Sequence, residues 1–308
     1  MDFFKCAIPV WEKKKENEKN TALVFQAELQ VADPNSNYTV KLAANNIYRL
    51  SVHSSFVTSG PARAAKGYFR VDVVDISRFL KKGKNTVCVE VVGYNTPTFQ
   101  NIAQPAFLQC EILFEDQVIA ATGQMGFAAF TMPYKLQKTV RYDFQRSFTE
   151  AYDYTKTQVQ KVELDILPEG KLLERGIAMP SCELHLPREM IQSFQVVELS
   201  EVDKIPETTA VQHTKDVVFS KEELEIDVPS LYAHCQEQNI DFSRNPYQAS
   251  AFAEKQGKIY EFDRELSGFI RLKIEASEEY HLLLSYDEIL TANRLNPFRL
   301  NSCNVISV

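Results

Sequence analysis

Five residues in the first third of the chain are candidates for contact with a ligand or with another domain. Aromatic rings can stack on the apolar C–H face of a sugar, and the aromatic candidates are Trp11, Tyr68 and Tyr94. Arg63 and Asn95 are the polar candidates that accompany them. Buried aromatic residues are also common in β-sandwich cores, so a packing role stays an alternative for each ring. Trp11 is the best single anchor for a sugar, and it could equally pack one domain onto another.

Acidic residues alone do not identify an active site in this sequence. Glycoside hydrolysis requires two carboxyl groups, one protonated and one ionised. Among 41 acidic residues two candidates can always be picked out, so finding a pair carries no information. Asp72 and Asp75 lie close together, but they fit the end of a strand and the start of a helical turn. Glu288 fits an exposed acid at the edge of a sheet. The sequence therefore predicts no catalytic residue.

Sequence signatures of cofactor and metal sites are absent. The chain contains no GxGxxG, no GxxxxGK followed by Ser or Thr, no HExxH and no GxSxG. Its six cysteines and five histidines are scattered along the chain, and neither residue type shows a metal-binding or redox spacing. We expect reduced cysteines, no metal site and no cofactor.

Composition indicates a globular protein that binds neither nucleic acid nor a membrane. Of 308 residues, 44% are hydrophobic and 24% are charged, with a net charge of -7. No basic stripe is present to attract phosphates, and no apolar run approaches the roughly 18 residues of a membrane span. The first residues, MDFFKCAIPVW, do not form a signal peptide. We therefore expect a cytoplasmic protein, or a periplasmic one if its N-terminus was trimmed.

Strand patterns dominate the chain and predict an all-β fold with few short helices. Runs rich in β-branched residues alternate between two faces, as in NTVCVEVVGYN, where Val87, Val89 and Val91 share one face. Turn signals at 45–46 and 115–116 separate such runs. The predicted short helices lie within 75–85, 220–226 and 230–239. The strand-rich segments of the first half are 21–32, 37–60, 67–76, 85–95, 107–123 and 138–154.

The same patterns predict two β-sandwich or jelly-roll domains in tandem. Residues 1–155 are expected to form the first of these domains, and 156–308 a second β-sandwich domain preceded by an irregular linker. In the second domain, 269–274 and 282–284 are predicted to pair as two strands. The final residues NSCNVISV end in a strand-like apolar run, and a terminal strand needs a neighbour. We therefore expect the second domain to be truncated and the natural protein to continue.

Three segments resemble a known family. Residues 60–95 read GPARAAKGYFRVDVVDISRFLKKGKNTVCVEVVGYN, and they resemble the N-terminal domain of bacterial alpha-L-rhamnosidases, glycoside hydrolase family 78. LLERGIAMP at 172–180 looks like the linker of that family, and 260–290 looks like its second β-sandwich. The matching elements within 60–95 are Gly60–Arg63, Gly67–Asp72, Asp75–Ser77, Leu80–Asn85 and Gly93–Asn95.

The resemblance implies that residues 1–155 form a galactose-binding-like jelly roll of the rhamnosidase N-terminal type, and it implies a function for a parent protein. Members of that family carry an (α/α)6 barrel after their β domains, and this barrel holds the acid and base of an inverting mechanism that removes terminal rhamnose. The present sequence lacks long paired helices, so we expect a non-catalytic N-terminal part that binds carbohydrate or braces the barrel. Its expected partners are a rhamnose-containing glycan and the downstream barrel. Whether this chain is an enzyme stays open, and the alternative is a free-standing carbohydrate-binding β-sandwich protein.

The stretch GPARAAKGYFRVD at 60–72 carries the family resemblance, but it does not locate a catalytic or binding site. Gly60 and Pro61 favour a turn, and the residues after Gly67 alternate as a strand. Arg63, within the turn, has three alternative roles. It bonds loop carbonyls of its own domain, faces the catalytic barrel, or touches a sugar.

Overall fold

The computed structural model describes residues 3–141, 147–198, 218–226, 235–296 and 305–308. The regular structure of these residues is almost entirely strand, with single-turn 3-10 helices at Ser77–Phe79 and Lys221–Glu223. The predicted all-β fold class with few short helices is therefore confirmed, while the finer jelly-roll assignment stays a prediction. The strands are β1 (Val10–Glu12), β2 (Thr21–Val31), β3 (Tyr38–Asn45), β4 (Ile47–Val52), β5 (Ser55–Gly60), β6 (Tyr68–Asp75), β7 (Gly83–Gly93), β8 (Phe107–Phe114), β9 (Gln117–Ala121), β10 (Phe127–Thr131), β11 (Leu164–Ile166), β12 (Lys171–Glu174), β13 (Glu189–Glu198), β14 (Cys235–Asp241), β15 (Asn245–Pro246), β16 (Gln256–Glu261), β17 (Leu283–Ser285) and β18 (Val305–Ser307).

The described residues belong to two compact units. The first unit comprises those within Met1–Pro180 and Asp216–Asp227, and the second comprises those within Ser181–Lys215 and Val228–Val308. Strands β11 and β12 pair with strands of the first unit, which therefore extends beyond residue 155. The domain limits 1–155 and 156–308 stay a prediction.

The first unit is built from two sheets that consist mainly of antiparallel pairs. One sheet has the strand order β11-β1-β8-β3-β6-β12, with β9 paired to β8. The other has the order β10-β2-β7-β4-β5, and its central pair β2–β7 is in register from Thr21↔Gly93 to Val31↔Gly83. β12 joins the first sheet in parallel beside β6.

The core of the first unit lies between these two sheets. A single cluster of buried apolar side chains includes residues of β2 and β7 from one sheet and residues of β3 and β8 from the other. The predicted inward face of β7 is confirmed, because Val87, Val89 and Val91 have no exposed surface. Alternation of buried and partly exposed side chains therefore places every second residue of a strand in the core.

Three local predictions in the first unit are confirmed. β3 ends at Asn45 and β4 begins at Ile47, so a turn separates them where two asparagines follow each other. β8 and β9 form a hairpin through residues 115–116. The backbone N–H of Ser220 donates to Glu223 Oε2 at 2.9 Å, which is the capping contact expected at the start of the helix in 220–226.

Four connections of the first unit meet at one end of the sandwich. They are the β1–β2, β3–β4, β5–β6 and β7–β8 connections. Asn45 Nδ2 donates to the carbonyl of Gln104 at 2.7 Å, and the backbone N–H of Gly67 donates to the Gln104 side chain at 3.0 Å. Asn95 Nδ2 donates to the carbonyl of Asn17. These contacts join the four connections into one layer, called the loop end below.

The second unit centres on β13, which pairs with β14, β15 and β16 in one antiparallel sheet. Residues 235–239, predicted as the end of a short helix, instead belong to strand β14, because β13 offers them a pairing edge. The preceding residues of that prediction, 230–234, lie outside the described residues.

The prediction that 269–274 and 282–284 pair as two strands of the second unit is wrong. Residues 269–274 are not in a strand, and Phe269 is exposed. β17 pairs with β18 instead, so the last residues of the chain occupy the edge that the prediction gave to 269–274. Among the described residues, no helix has the length and apolar character needed to cross a membrane.

Candidate functional site

Trp11 lies inside the core of the first unit. Its side chain has no exposed surface, and its ring centroid lies 6.0 Å from that of Phe25 at an angle of 41°. Its Nε1 has no hydrogen-bond partner among the described residues. β1 holds the ring in place through pairs with β8 and β11. Trp11 therefore packs the two sheets of its own unit together.

Arg63 and Tyr68 lie at the loop end. Arg63 is exposed, and its Nη2 donates to the carbonyl of Phe99 at 3.2 Å, within the same unit. The carbonyl of Arg63 accepts a bond from Arg70 Nε at 3.2 Å. Tyr68 is half-buried, and Lys171 Nζ lies 5.2 Å from its ring centroid. Arg63 thus connects two loops of its own unit.

Tyr94 and Asn95 directly follow β7 and lie at the loop end as well. Both backbone N–H groups donate to Asn46 Oδ1, at 2.7 Å and 3.1 Å. Asn95 has a φ of 46°, a left-handed conformation that asparagine adopts more readily than most residues. Tyr94 is buried, and its hydroxyl donates to Glu150 Oε1 at 3.0 Å. The structure thus brings four of the five predicted site residues to one end of the sandwich: Arg63, Tyr68, Tyr94 and Asn95.

A buried ion pair joins two of the segments that carry the family resemblance. Arg175 Nη1 lies 2.7 Å from Asp72 Oδ1, and Asp72 has no exposed surface. The hydroxyl of Tyr48 donates to the other carboxylate oxygen, Asp72 Oδ2. Burial and the adjacent Asp72 carboxylate raise the pKa of Tyr48, so its hydroxyl stays protonated and remains a donor. Tyr48, Asp72 and Arg175 are called the buried triad below.

Gly60 is the residue that leaves room for the buried triad. A Cβ atom at this position would lie 2.5 Å from Asp72 Oδ2 and 2.7 Å from Cε1 of Tyr48. These distances are too short for a carbon contact, so glycine permits the close approach of β5 to the Asp72 carboxylate. The Gly-Pro-Ala-Arg turn and the Gly-Tyr-Phe-Arg-Val-Asp strand therefore share one packing function.

Residues 164–176, called the crossing segment, are held at both edges of the larger sheet. At one edge β11 pairs with β1, and at the other β12 pairs with β6. Between them Leu167 packs against the buried cluster formed by Ala43, Val71 and Phe107. Near its end, the Glu174 carbonyl accepts a bond from Arg70 Nη1 at 2.7 Å. The crossing segment then delivers Arg175 to the buried triad.

An open cleft of about 460 Å³ lies beside the buried triad. Its two cations are already paired, since Lys41 Nζ lies 3.9 Å from Glu111 Oε1 and Arg175 binds Asp72. Acid–base hydrolysis needs two carboxyl groups, and the residues lining this cleft include one, Glu174. No group of His, Cys, Asp and Glu in the described part of the chain could hold a metal ion. The lining residues are Phe3, Lys41, Val71, Val73, Glu174, Arg175, Ile177 and Met179.

Three tyrosines that sequence reasoning did not select form an aromatic surface on the first unit. The ring of Tyr154 lies 5.8 Å from that of Tyr134 at 20°, and 6.0 Å from that of Tyr152 at 12°. Tyr154 is 74% exposed and Tyr152 is 42% exposed. Tyr134, Tyr152 and Tyr154 are called the tyrosine surface below. The sequence signal that could have found it is the spacing of Glu150, Tyr152 and Tyr154 at every second residue, although the structure gives this stretch a single isolated bridge at Tyr152 and a turn at Tyr154.

A carboxylate and a buried ammonium group support the tyrosine surface. Glu150 Oε2 accepts a bond from the Tyr152 hydroxyl at 2.8 Å, and Glu150 Oε1 accepts the bond from Tyr94. Lys135 Nζ lies 3.7 Å from Glu150 Oε1 and 5.2 Å from the centroid of the Tyr152 ring. Burial acts to raise the pKa of Glu150, but Lys135 and the two hydroxyl donors outweigh it and lower that pKa. Burial lowers the pKa of Lys135, and Glu150 opposes this effect.

Comparisons with known proteins give likeness in structure and none in sequence. No protein-family model and no curated protein sequence matches the chain. A family 78 rhamnosidase from Bacillus sp. GL1 is similar with a TM-score of 0.56 and 19% identity, over 65% of this chain and 23% of that one. The alpha-L-rhamnosidase of Dictyoglumus thermophilum has a TM-score of 0.40 and 12% identity, over 92% of this chain and 37% of its own. That of Aspergillus terreus has a TM-score of 0.40 and 12% identity, over 63% and 27%.

Of these three matches, the Bacillus one has a TM-score above 0.5, and at 19% identity it concerns the fold. The chain spans 23% of the length of that rhamnosidase, and 37% and 27% of the other two. About 65% of this chain therefore folds like one part of a family 78 alpha-L-rhamnosidase, which confirms the resemblance predicted from the sequence.

Proposed function

We propose that the chain is a non-catalytic part of an alpha-L-rhamnosidase-like glycoside hydrolase, which braces the catalytic domain and contacts the glycan. The observation that carries this proposal is the fold likeness, which covers 65% of this chain and 23% of the Bacillus rhamnosidase. Most of such an enzyme lies outside the matched part and can hold a separate catalytic domain. Removal of terminal rhamnose is then an activity of the parent protein.

The crossing segment supports the bracing role. A brace must hold the chain that leaves it in one conformation, and residues 164–176 are fixed by strand pairing at both edges of one sheet. The ion pair between Arg175 and Asp72 fixes the end of this segment at a fully buried carboxylate. Packed strands and a buried ion pair resist local opening more than exposed loops do.

The carboxyl groups near the cleft support a non-catalytic role. Asp72 is sealed in an ion pair and lacks contact with solvent, so it is unsuited to exchange a proton with a substrate. Glu174 lines the cleft without a second carboxyl group among the lining residues. Neither residue therefore has the partner that glycoside hydrolysis requires.

The experiment that tests the non-catalytic role is hydrolysis of an aryl alpha-L-rhamnoside by the purified 308-residue chain. We expect no release of the aryl alcohol above the rate of a protein-free blank. Release that rises in proportion to the chain and follows it through two further purification steps would overturn the proposal.

The alternative of a free-standing carbohydrate-binding protein is favoured by the tyrosine surface, since exposed aromatic rings suit sugar binding without any second domain. The reading frame after the codon for Val308 separates the two roles. Paired long helices encoded directly downstream support the accessory role, whereas a stop codon supports the free-standing one.

A further inference from the structure

We propose that the tyrosine surface is the site at which this chain binds a neutral oligosaccharide. The inference rests on the proposed role in glycan contact and assigns that contact to Tyr134, Tyr152 and Tyr154. It moves the expected site away from the buried triad and the cleft, and away from Arg63 and the rest of the loop end.

The three rings leave aromatic area open to a ligand. Their planes differ by 12° and 20°, so they are nearly parallel, with Tyr154 close to both of the others. A ring sandwiched between two neighbours would lose both faces, but Tyr154 is 74% exposed. At least one face of Tyr154 is therefore open, and the partly exposed Tyr152 extends the same surface. Two adjacent rings give stacking positions for more than one sugar unit, which favours an oligosaccharide over a monosaccharide.

Fixed polar groups beside the rings supply the hydrogen bonds that a sugar needs. The Glu150 side chain is 45% exposed, and its carboxylate is oriented by the hydroxyls of Tyr94 and Tyr152. An ionised carboxylate has about four lone-pair sites, so sites remain for the hydroxyl groups of a ligand. The Tyr152 hydroxyl donates to Glu150, and its own oxygen stays available as an acceptor. Hydrogen bonds to a charged acceptor are stronger than those between neutral groups.

The charges at the site favour a neutral ligand. Two ion pairs lie next to the tyrosine surface, and each consists of one cation and one anion. Lys135 Nζ lies 3.7 Å from Glu150 Oε1, and Arg49 Nη1 lies 3.8 Å from Glu90 Oε2. Balanced pairs create no net attraction for an acidic or a basic sugar. Lys135 is also nearly buried, which is a costly position for an ammonium group.

The size of the site favours a sugar over a protein partner. A stable protein interface buries about 1,200–2,000 Å² in total, with roughly 20–30 residues on each side. The tyrosine surface with its polar neighbours is a group of a few side chains flanked by charged ones. A small ligand held by aromatic contact and a few oriented polar groups fits this arrangement better.

The test is calorimetric titration of the 308-residue chain with two neutral oligosaccharides, an alpha-linked rhamnotriose and maltotriose. The variants are Tyr152→Ala and Tyr154→Ala, and the matched controls are Tyr280→Ala, an exposed tyrosine of the second unit, and Phe99→Ala, an exposed ring of the loop end. We expect the unaltered chain and both controls to bind at least one of the probes. Loss of one stacked ring should weaken binding by about tenfold.

The opposing results separate this inference from the proposed function. Binding that is unchanged in both tyrosine variants overturns the tyrosine surface as the site, while glycan contact survives elsewhere on the chain. No heat with either probe, from a chain shown to be folded by circular dichroism, overturns both. Self-association of the unaltered chain that Tyr154→Ala abolishes, without binding of either probe, also overturns the inference and identifies a protein contact.

Discussion

Tyrosine, carboxylate and cation occur together twice in the first unit, once sealed and once open. In the buried triad, Asp72 has no exposed surface and is bound by Tyr48 and Arg175. At the tyrosine surface, Glu150 is bound by Tyr152 and faces Lys135, but its side chain is 45% exposed. The chemical groups are alike, so the difference in solvent exposure separates their roles. The buried triad fixes the position of the backbone around it, and the tyrosine surface with Glu150 can contact a ligand.

The two sets also differ in how much the free energy of unfolding depends on each of their ion pairs. Removal of one partner from a buried pair leaves an uncompensated charge inside the protein, which is strongly destabilising. At the tyrosine surface, loss of a partner of the partly exposed Glu150 leaves a carboxylate that water can hydrate, which costs less. Stability measurements should therefore respond to the buried triad, and binding measurements should respond to the tyrosine surface.

The largest expected effect is that of Arg175→Ala on stability. The substitution leaves the buried Asp72 carboxylate without its cation, and we expect the free energy of unfolding of the first unit to fall by about 3–5 kcal/mol. Urea denaturation measures it. The control is Lys84→Ala, which breaks the exposed ion pair between Lys84 and Glu28 and should cost less than about 1 kcal/mol. Equal losses in the two variants would show that the buried triad has no special role.

A smaller loss is expected for Tyr48→Phe. This variant keeps the ring and removes the hydroxyl that donates to Asp72, a bond to a charged group worth about 1.5–3 kcal/mol. Tyr94→Phe removes the corresponding donor to Glu150 and should cost less, because water can replace the hydroxyl at the partly exposed carboxylate. A greater loss for Tyr94→Phe than for Tyr48→Phe in urea denaturation contradicts the comparison.

The pH dependence of stability gives a weaker signal from Glu150. Its pKa is lowered in the folded chain from a usual value of 4.5, with Lys135 as the nearby cation and Arg49 as a further one. The unfolded chain therefore binds a proton first as the pH falls, so the contribution of Glu150 is present above pH 4.5 and lost below it. The stability difference between the unaltered chain and Glu150→Gln should shrink as the pH falls from 7 through this range. Growth of the difference toward acid contradicts the assignment.

The smallest effect on stability is expected for Tyr154→Ala. An exposed side chain without a buried partner contributes little, so the free energy of unfolding should change by less than about 0.5 kcal/mol. The measurement is urea denaturation beside the unaltered chain. A loss of several kcal/mol would mean that Tyr154 is part of the packing and would remove the contrast with the buried triad.

Much of the first unit was predictable from sequence because strand patterns are local. Alternating valines in β7 and paired asparagines before β4 carry their own structural signal. The pairing partner of β17 was not predictable, because a local apolar pattern does not determine which of several strand-like segments pairs with it. In the structure β18 pairs with β17, and 269–274 does not. Strand β14 was mistaken for helix because its pairing with β13 outweighs the local helical pattern.

The candidate sites were less predictable because exposure depends on tertiary packing. Tyr94 was selected from its motif, and it supports the tyrosine surface from below through Glu150. Tyr152 and Tyr154 alternate in sequence like many strand residues, and only the fold shows that their side of the segment is uncovered. Trp11 looks like a ligand anchor by residue type, but the two sheets close over it.

The most direct test of the account is the melting temperature of the first unit with and without the neutral oligosaccharide that the unaltered chain binds. A ligand at 100 times its Kd adds about 2.7 kcal/mol of stability, so it raises the melting temperature of a chain that binds it. We expect Arg175→Ala to melt at a lower temperature and to keep the ligand-induced rise. We expect Tyr154→Ala to melt at the original temperature and to lose most of the rise. The reverse pattern, in which Arg175→Ala loses the rise and Tyr154→Ala lowers the melting temperature, would contradict the division between a sealed structural set and an open binding set.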